Sequence, residues 1–223
     1  MTENDRKSIH IPRIDRLDEM SDPNAIIALL DDKGARSDIS TVNWPEVSPY
    51  RPMTSFACAY SAKYIYIDFL VRCNYLRAEN TADQSPVSQD SCVEFFIDPR
   101  CDGHYWNFEF NCIGAINASH RSERPHPTRL NTAELASVRR WPSCGTRAFC
   151  ELEGLFTWNL LVAIPLELMG LDGDHMPDHA RANFYKCASA TSEPHYLSWN
   201  PIHIEKPDFH RPDFFGDIYF DKP

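Results

Sequence analysis

Three short runs carry polar side chains at strand spacing. In "YWNFEFNC" (105–112), Tyr105, Asn107, Glu109 and Asn111 alternate with Trp106, Phe108, Phe110 and Cys112. Successive strand side chains point to opposite faces, so one row enters a core while the other presents a phenol, two amides and a carboxylate. In "DSCVEFFIDP", Asp90, Glu94 and Asp98 share the parity opposite to Val93, Phe95 and Ile97, and in "RANFYKC", Arg181, Asn183 and Tyr185 alternate with Ala182 and Phe184. If these strands pair, Glu94, Asn107, Glu109, Asn111, Arg181 and Asn183 share one sheet face. Planar groups that donate and accept in pairs suit vicinal hydroxyls, and neighbouring rings offer apolar surface to the C–H face of a sugar. Spacing alone leaves a solvated surface open as the other reading of that face. It also leaves open a glycoside hydrolase with Glu94 and Glu109 as acid and base, which needs carboxyls about 5–9.5 Å apart and one of them kept protonated. A haem or redox module ligated by Met1, Met20, Met53, Met169 or Met176 with loop histidines is chemically open but has no supporting spacing. So is a sandwich that only docks proteins.

Other chemistries lack their residues. His175 and His179 in "HMPDH" stand four apart, but Pro177 breaks the helix that would aim both at one zinc. The chain has no G-x-G-x-x-G, no phosphate-cradling Gly loop ending in Lys-Ser or Lys-Thr, and no G-x-S-x-G elbow. His195 and His210 sit beside prolines and read as loop-fastening hydrogen-bonders. The basic runs "HRSERPHPTR" (120–129) and Arg139–Arg140 read as solvated loop.

The elements that must position these residues are mostly strands. With 43% apolar residues, of which aromatics are 12% of the chain, 223 residues can bury a substantial core. Strand-like runs occur at 8–14, 55–62, 63–73, 91–98, 105–117, 147–153, 155–164, 180–188 and 216–221, separated by turn residues. Glu153-Gly154 reads as a tight hairpin, and Pro165 opens one short helix in "IPLELMGL". The 17 prolines and 8 glycines with many short strands predict an all-β chain: an antiparallel β-sandwich of immunoglobulin-like or jelly-roll-like type, with long loops and that single helix. One domain is expected over 1–223, with an N-terminal strand and extension over 1–51 and a core over 52–223.

Charge and cysteine usage bound the partners. The net charge of −10 argues against nucleic acid and anionic lipid. No window approaches the roughly 18 apolar residues of a membrane span, and no apolar run follows the first charges as in an export signal, so a cytoplasmic chain is expected unless the sequence is truncated. Of the eight cysteines, Cys58, Cys73, Cys92, Cys112, Cys150 and Cys187 lie in or beside strand-like runs without C-x-x-C spacing, and are expected reduced and semi-buried.

The order "DSCVEFFID", "NFEFNCIG", Trp158 to Pro165 as W-x-x-x-V-A-I-P, "NFYKC", "LSW" and "RPDFFGDIYF" resembles the family 9 carbohydrate-binding modules, particularly their stand-alone relatives, from about Pro52 to Phe220. The resemblance implies a non-catalytic β-sandwich that grips a mono- or oligosaccharide, often at a chain end, in bacterial carbohydrate catabolism. It also implies a glycoside hydrolase as a possible partner and leaves structural calcium open; the motifs suggest no other cofactor. Glu94 matches the family's sugar-binding glutamate, and Asn107 and Glu109 match the polar positions of the next strand, with Glu109 standing where an arginine is expected. The family clamps its sugar between two tryptophans. Here Pro86, Val87 and Ser88 stand at the first and Phe209 at the second. Parity places Trp106 in the core row, which leaves Tyr185, Trp199 and Phe209 as the expected stacking rings.

Overall fold

A computed structural model describes residues 6–122 and 125–222. Met1 and positions 123 and 124 of the basic run lie outside the described residues. The first of two sheets runs in the order β1 (Ser8–Ile11), β14 (Gly216–Phe220), β12 (His179–Ala188), β6 (Cys92–Asp98), β7 (Tyr105–Asn111), β8 (Ile116–Arg121) and β9 (Pro127–Arg129). Beside the far half of β12 lies β13 (His195–Ser198), which carries the short β3 (Thr41–Val42). The second sheet runs β10 (Arg139–Pro142), β11 (Phe149–Pro165), β5 (Tyr64–Ala78), β4 (Met53–Tyr60) and β2 (Ala35–Asp38). This is the expected β-sandwich, and the pairings between these strands are antiparallel except β1 with β14, which run parallel.

The alternating code builds the core as read. Val93, Phe95 and Ile97 from β6, Phe108 and Phe110 from β7 and Phe184 from β12 meet Phe56, Ile67, Phe69, Val71, Leu160 and Val162 from the other sheet. Phe56 stacks on Phe184 with centroids 3.8 Å apart. The opposite face of the first sheet is not a bare surface. Phe96, Tyr105 and Tyr185 join Trp44, Ile202 and Phe215 in a second apolar cluster where the segment 199–215 folds over the strands. All seven residues of β6 are therefore buried, which explains a strand with apolar residues at both parities.

Three sequence expectations change. Glu153-Gly154 is no hairpin: β11 runs through it along β5, and irregular register between Phe149 and Leu152 and between Glu153 and Phe156 absorbs the extra residues. The run 105–117 instead breaks into β7 and β8 at a turn where Gly114 takes φ +84, a conformation few other residues tolerate. Residues 166–169 form only a 3-10 turn, while two helices went unread. The helix α1 (Pro23–Lys33) opens with Asp22 accepting from the Asn24 amide and Pro23 in its first turn, and buries Ile26 and Leu30 on the outer face of the second sheet. The helix α2 (Thr132–Ser137) is started by a capping box of Asn131 and Glu134.

Asp68, on the outer face of β5, carries a burial cost. It is 6% exposed, and burial raises its carboxyl from 3.8 to about 6, although the Asn159 amide donating to it pulls the other way. A carboxyl raised by folding favours the native state while protonated, below about pH 4, and loses that contribution as pH rises through 6. Asp68→Asn is therefore expected to stabilise the chain by about 1–3 kcal/mol at pH 8 and by almost nothing at pH 4. Urea midpoints at the two pH values check this, and an equal gain at both would contradict it.

Candidate functional site

The polar row of the first sheet is assembled as the parity argument requires. Glu94 pairs across the ladder with Glu109 on β7 and with Tyr185 on β12, and Glu109 pairs with Asn117 on β8. Where these strands meet the covering segment there is a cavity of 200 Å³. It is lined by Ser88, Glu94, Glu109, Cys187, Ser189, Tyr196, Pro207, Asp208, Phe209 and His210.

Of the residues expected to touch a ligand, Glu94, Glu109 and Phe209 line this cavity. The others are placed differently, for identifiable reasons. Asn107 is buried behind Glu109: its amide donates to Glu109 Oε1 at 3.0 Å, and its oxygen accepts from Arg121 Nε at 2.8 Å. Asn111 donates to Asp90 and to the Asn80 carbonyl and accepts from the Ala115 amide, which fastens the turn after β7. Asn183 accepts from the Asn200 amide and donates to the Asn200 carbonyl, holding the start of the covering segment. Arg181 sits opposite Asp98 at the other end of β12, 4.0 Å from Asp217. Tyr185 lies fully buried beneath Phe209, rings parallel at 4.2 Å, with its hydroxyl donating to the Phe209 carbonyl. Trp199 is not a cavity ring at all: it packs edge-on against Phe56 and Phe184 inside the sandwich and donates to Ser37 Oγ. Gly216 makes room for it, since a Cβ there would stand 2.4 Å from the indole.

Of the remaining lining residues, three have a sequence signal. Cys187 continues the polar parity of Arg181, Asn183 and Tyr185, and Asp208 and His210 flank Phe209. The segment 86–88, where the resemblance puts the first clamp tryptophan, leads into the 3-10 turn Val87–Gln89 and gives the cavity Ser88 in place of a ring. His210 fastens its loop to the Tyr105 hydroxyl at 3.0 Å and brings Nε2 to 4.0 Å from Glu109. His195 is a fastener within the sandwich. Its Nδ1 pairs with the Glu193 carbonyl, which places the proton there, so Nε2 accepts from the buried Lys186 ammonium at 2.8 Å.

The two cavity carboxyls differ in environment. Glu109 is raised by burial but held down by the donating amides of Asn117 and Asn107 and the nearby Arg121 guanidinium. Glu94 is pushed well above the usual carboxylate range by burial and then by Cys187 and Glu109, and its hydrogen-bond donors are the thiols of Cys187 at 3.1 Å and Cys92 at 3.8 Å. Glu109 therefore ionises first, and its charge opposes ionisation of Glu94. The pair offers one carboxylate fixed as an acceptor and one carboxyl able to donate or accept. That set suits adjacent hydroxyls. Of the cysteines expected to be semi-buried, Cys58, Cys73, Cys92, Cys112 and Cys187 are fully buried, while Cys150 is exposed; all eight are unpaired thiols. Among the described residues no helix is long and apolar enough to cross a membrane.

The model of carbohydrate-binding family 9 matches residues 24–220. The fold is similar to the crystal structure, at 2.70 Å, of a protein from Bacteroides uniformis ATCC 8492 proposed to be carbohydrate-binding. The two are 32% identical with a TM-score of 0.88, over 97% of this chain and 100% of that one. Two structures of a family 9 module from Caldicellulosiruptor kristjanssonii, in complex with glucose and with cellotriose, share the fold at TM-scores of 0.52 and 0.50. They are 13% and 12% identical over 97% of this chain and over 97% and 95% of theirs. No curated protein matches the chain.

Proposed function

The chain belongs to carbohydrate-binding family 9, and on that footing we propose that its cavity holds one sugar unit, a monosaccharide or the terminal unit of an oligosaccharide. The observation that carries this reading is the convergence of the Glu94 and Glu109 carboxyls on a cavity of 200 Å³. That volume lies below the roughly 300–1,000 Å³ of sites for drug-sized ligands and suits a single ring. The glucose and cellotriose bound by the Caldicellulosiruptor kristjanssonii module are ligands of that kind. Glu109 accepts hydrogen bonds from neighbouring hydroxyls, Glu94 donates or accepts beside it, and Ser88, Ser189 and Asp208 add polar groups at the rim. Phe209, backed by Tyr185, gives the apolar wall, and with Ser88 where the first clamp tryptophan is expected, the two-tryptophan clamp is absent. Affinity is accordingly expected to be modest, on the order of micromolar to millimolar.

Isothermal titration against a panel of monosaccharides and short β-linked oligosaccharides tests this. Saturable heat with one site per chain is the expected result, and no heat from any sugar by a folded protein would defeat the reading. Binding is also expected to weaken as pH falls, because protonation removes the Glu109 acceptor, and the fall should begin above the ordinary glutamate value of 4.5 since the carboxyl is raised. Affinity that stays flat down to pH 4 would show that the ionised carboxylate is not used.

A further inference from the structure

Beside the Glu94 carboxyl, the floor of the cavity holds two thiols that sugar binding does not require. Cys92 on β6 and Cys187 on β12 are direct ladder partners whose side chains share the outer face, and Glu94 is the next residue of that parity on β6. The two sulfurs and a Glu94 oxygen all lie within 4.8 Å of one another, with Glu94 Oε1 at 3.1 Å from Cys187 Sγ and 3.8 Å from Cys92 Sγ. All three residues are at most 3% exposed. Among the described residues no nitrogen donor reaches the Glu94 carboxyl; its partners are the two thiols, which are weak donors. A carboxyl this deeply buried ordinarily has a strong donor or a cation beside it.

We propose that Cys92, Glu94 and Cys187 form a site for a thiophilic divalent cation, zinc foremost, at the cavity floor, with the fourth coordination position open to the cavity. Two thiolates and a carboxylate are a zinc ligand set, and three protein ligands with one open position is the arrangement of sites that bind an exchangeable fourth group. With bonds of about 2.3 Å to sulfur and 2.0 Å to oxygen, a tetrahedral ion holds its ligand atoms about 3.5–3.8 Å apart. The observed separations reach this by shifts of a few tenths of an ångström to an ångström along side chains whose backbone spacing the ladder already fixes. Sulfur ligands select against calcium and magnesium. Binding displaces the two thiol protons and any proton on Glu94 to solvent, so uptake strengthens as pH rises. Glu94 and Cys187 border the cavity while Cys92 lies beneath them, which directs the open position outward. The proposal does not depend on a sugar entering.

The test uses the full chain, stripped with a chelator and kept reduced, with free thiols counted before use. Zinc is titrated in competition with a chromophoric chelator, and cadmium is titrated alone while the thiolate-to-cadmium charge-transfer absorption is followed. One ion per chain is expected, with a cadmium band, and a loss in affinity of about 100-fold or more in Cys187→Ser and in Cys92→Ser, since each removes a ligand that must be in the metal's first layer. Cys150→Ser, an exposed cysteine away from the cavity, should bind as the parent does. Parent protein with all thiols free that binds zinc no better than Cys187→Ser, or shows no cadmium band, overturns the proposal. So does a mass 2 Da low from a Cys92–Cys187 disulfide that survives reduction. Should the serine variants fail to fold, the parent's cadmium band and stoichiometry decide alone. Sugar titrations on the same samples separate the two readings, since zinc uptake without sugar heat defeats only the sugar reading, and the reverse defeats only this one.

Discussion

Asp90→Ala is expected to cost about 3–5 kcal/mol of folding stability. Asp90 is fully buried where the chain enters β6. Its two oxygens accept from Arg77 Nη1, from the amides of Glu79 and Asn80, and from the side-chain amides of Asn80 and Asn111. One carboxylate thus ties the end of β5, the start of β6 and the end of β7, and it does so as the partner of a guanidinium that is itself 13% exposed. Alanine would leave the half-buried guanidinium with only the exposed Glu79 as partner and two backbone N–H groups without their acceptor, which is costlier than deleting the whole network. The 3-10 turn Val87–Gln89 immediately precedes Asp90 and supplies Ser88 to the cavity, so ligand affinity should fall with stability. Urea denaturation checks the first effect. A loss under 1 kcal/mol would mean that water or a rearranged Glu79, already paired with Arg77 Nη2 at 2.8 Å, takes over the pairing.

Glu109→Ala is expected to reduce sugar affinity by about 10–100-fold, the worth of a hydrogen-bonded charged acceptor, about 1.5–3 kcal/mol. The carboxylate is aimed before any ligand arrives: Asn107 and Asn117 each donate to one of its oxygens at 3.0 Å, and Arg121 anchors Asn107 from behind. Binding therefore spends little on ordering this side chain. Stability should fall as well, by about 1–3 kcal/mol, because alanine removes a burial cost but leaves the buried Asn107 amide without its acceptor, so affinities are compared under conditions where all variants are folded. Glu109→Gln keeps the shape but replaces one acceptor by a donor and should fall between parent and alanine. Titration calorimetry of the three proteins at pH 7.5 checks the order. Equal affinity in all three would remove Glu109 from the site.

The parity of "YWNFEFNC" and "DSCVEFFID" was legible because a two-residue period fixes which face a side chain takes whatever else the chain does. Phe108 and Phe110 went to the core and Asn107 and Glu109 to the other face for that reason. Parity does not say what lies above a face. Asn107 and Asn111 look identical in the strand, yet one orients Glu109 and the other holds a turn, and the difference comes from Arg121 on β8 and Asp90 ahead of β6, far along the chain. The covering segment 199–215 has no period to read, so the burial of Tyr185 beneath Phe209 was out of reach. Trp199 begins that segment and turns inward because Gly216 leaves space for an indole, a packing relation between residues with no local signature. The helix α1, by contrast, has a local signal in Asp22-Pro23 ahead of Ile26 and Leu30.

The measurement that tests the central claim most directly is an amide and side-chain NMR titration of the reduced chain with glucose and with cellotriose. Saturating shifts confined to Ser88, Glu94, Glu109, Cys187, Ser189, Tyr196 and the stretch 207–210 are the predicted result. Shifts centred on the outer face of the second sheet around Asp68, or none with either sugar, would contradict it.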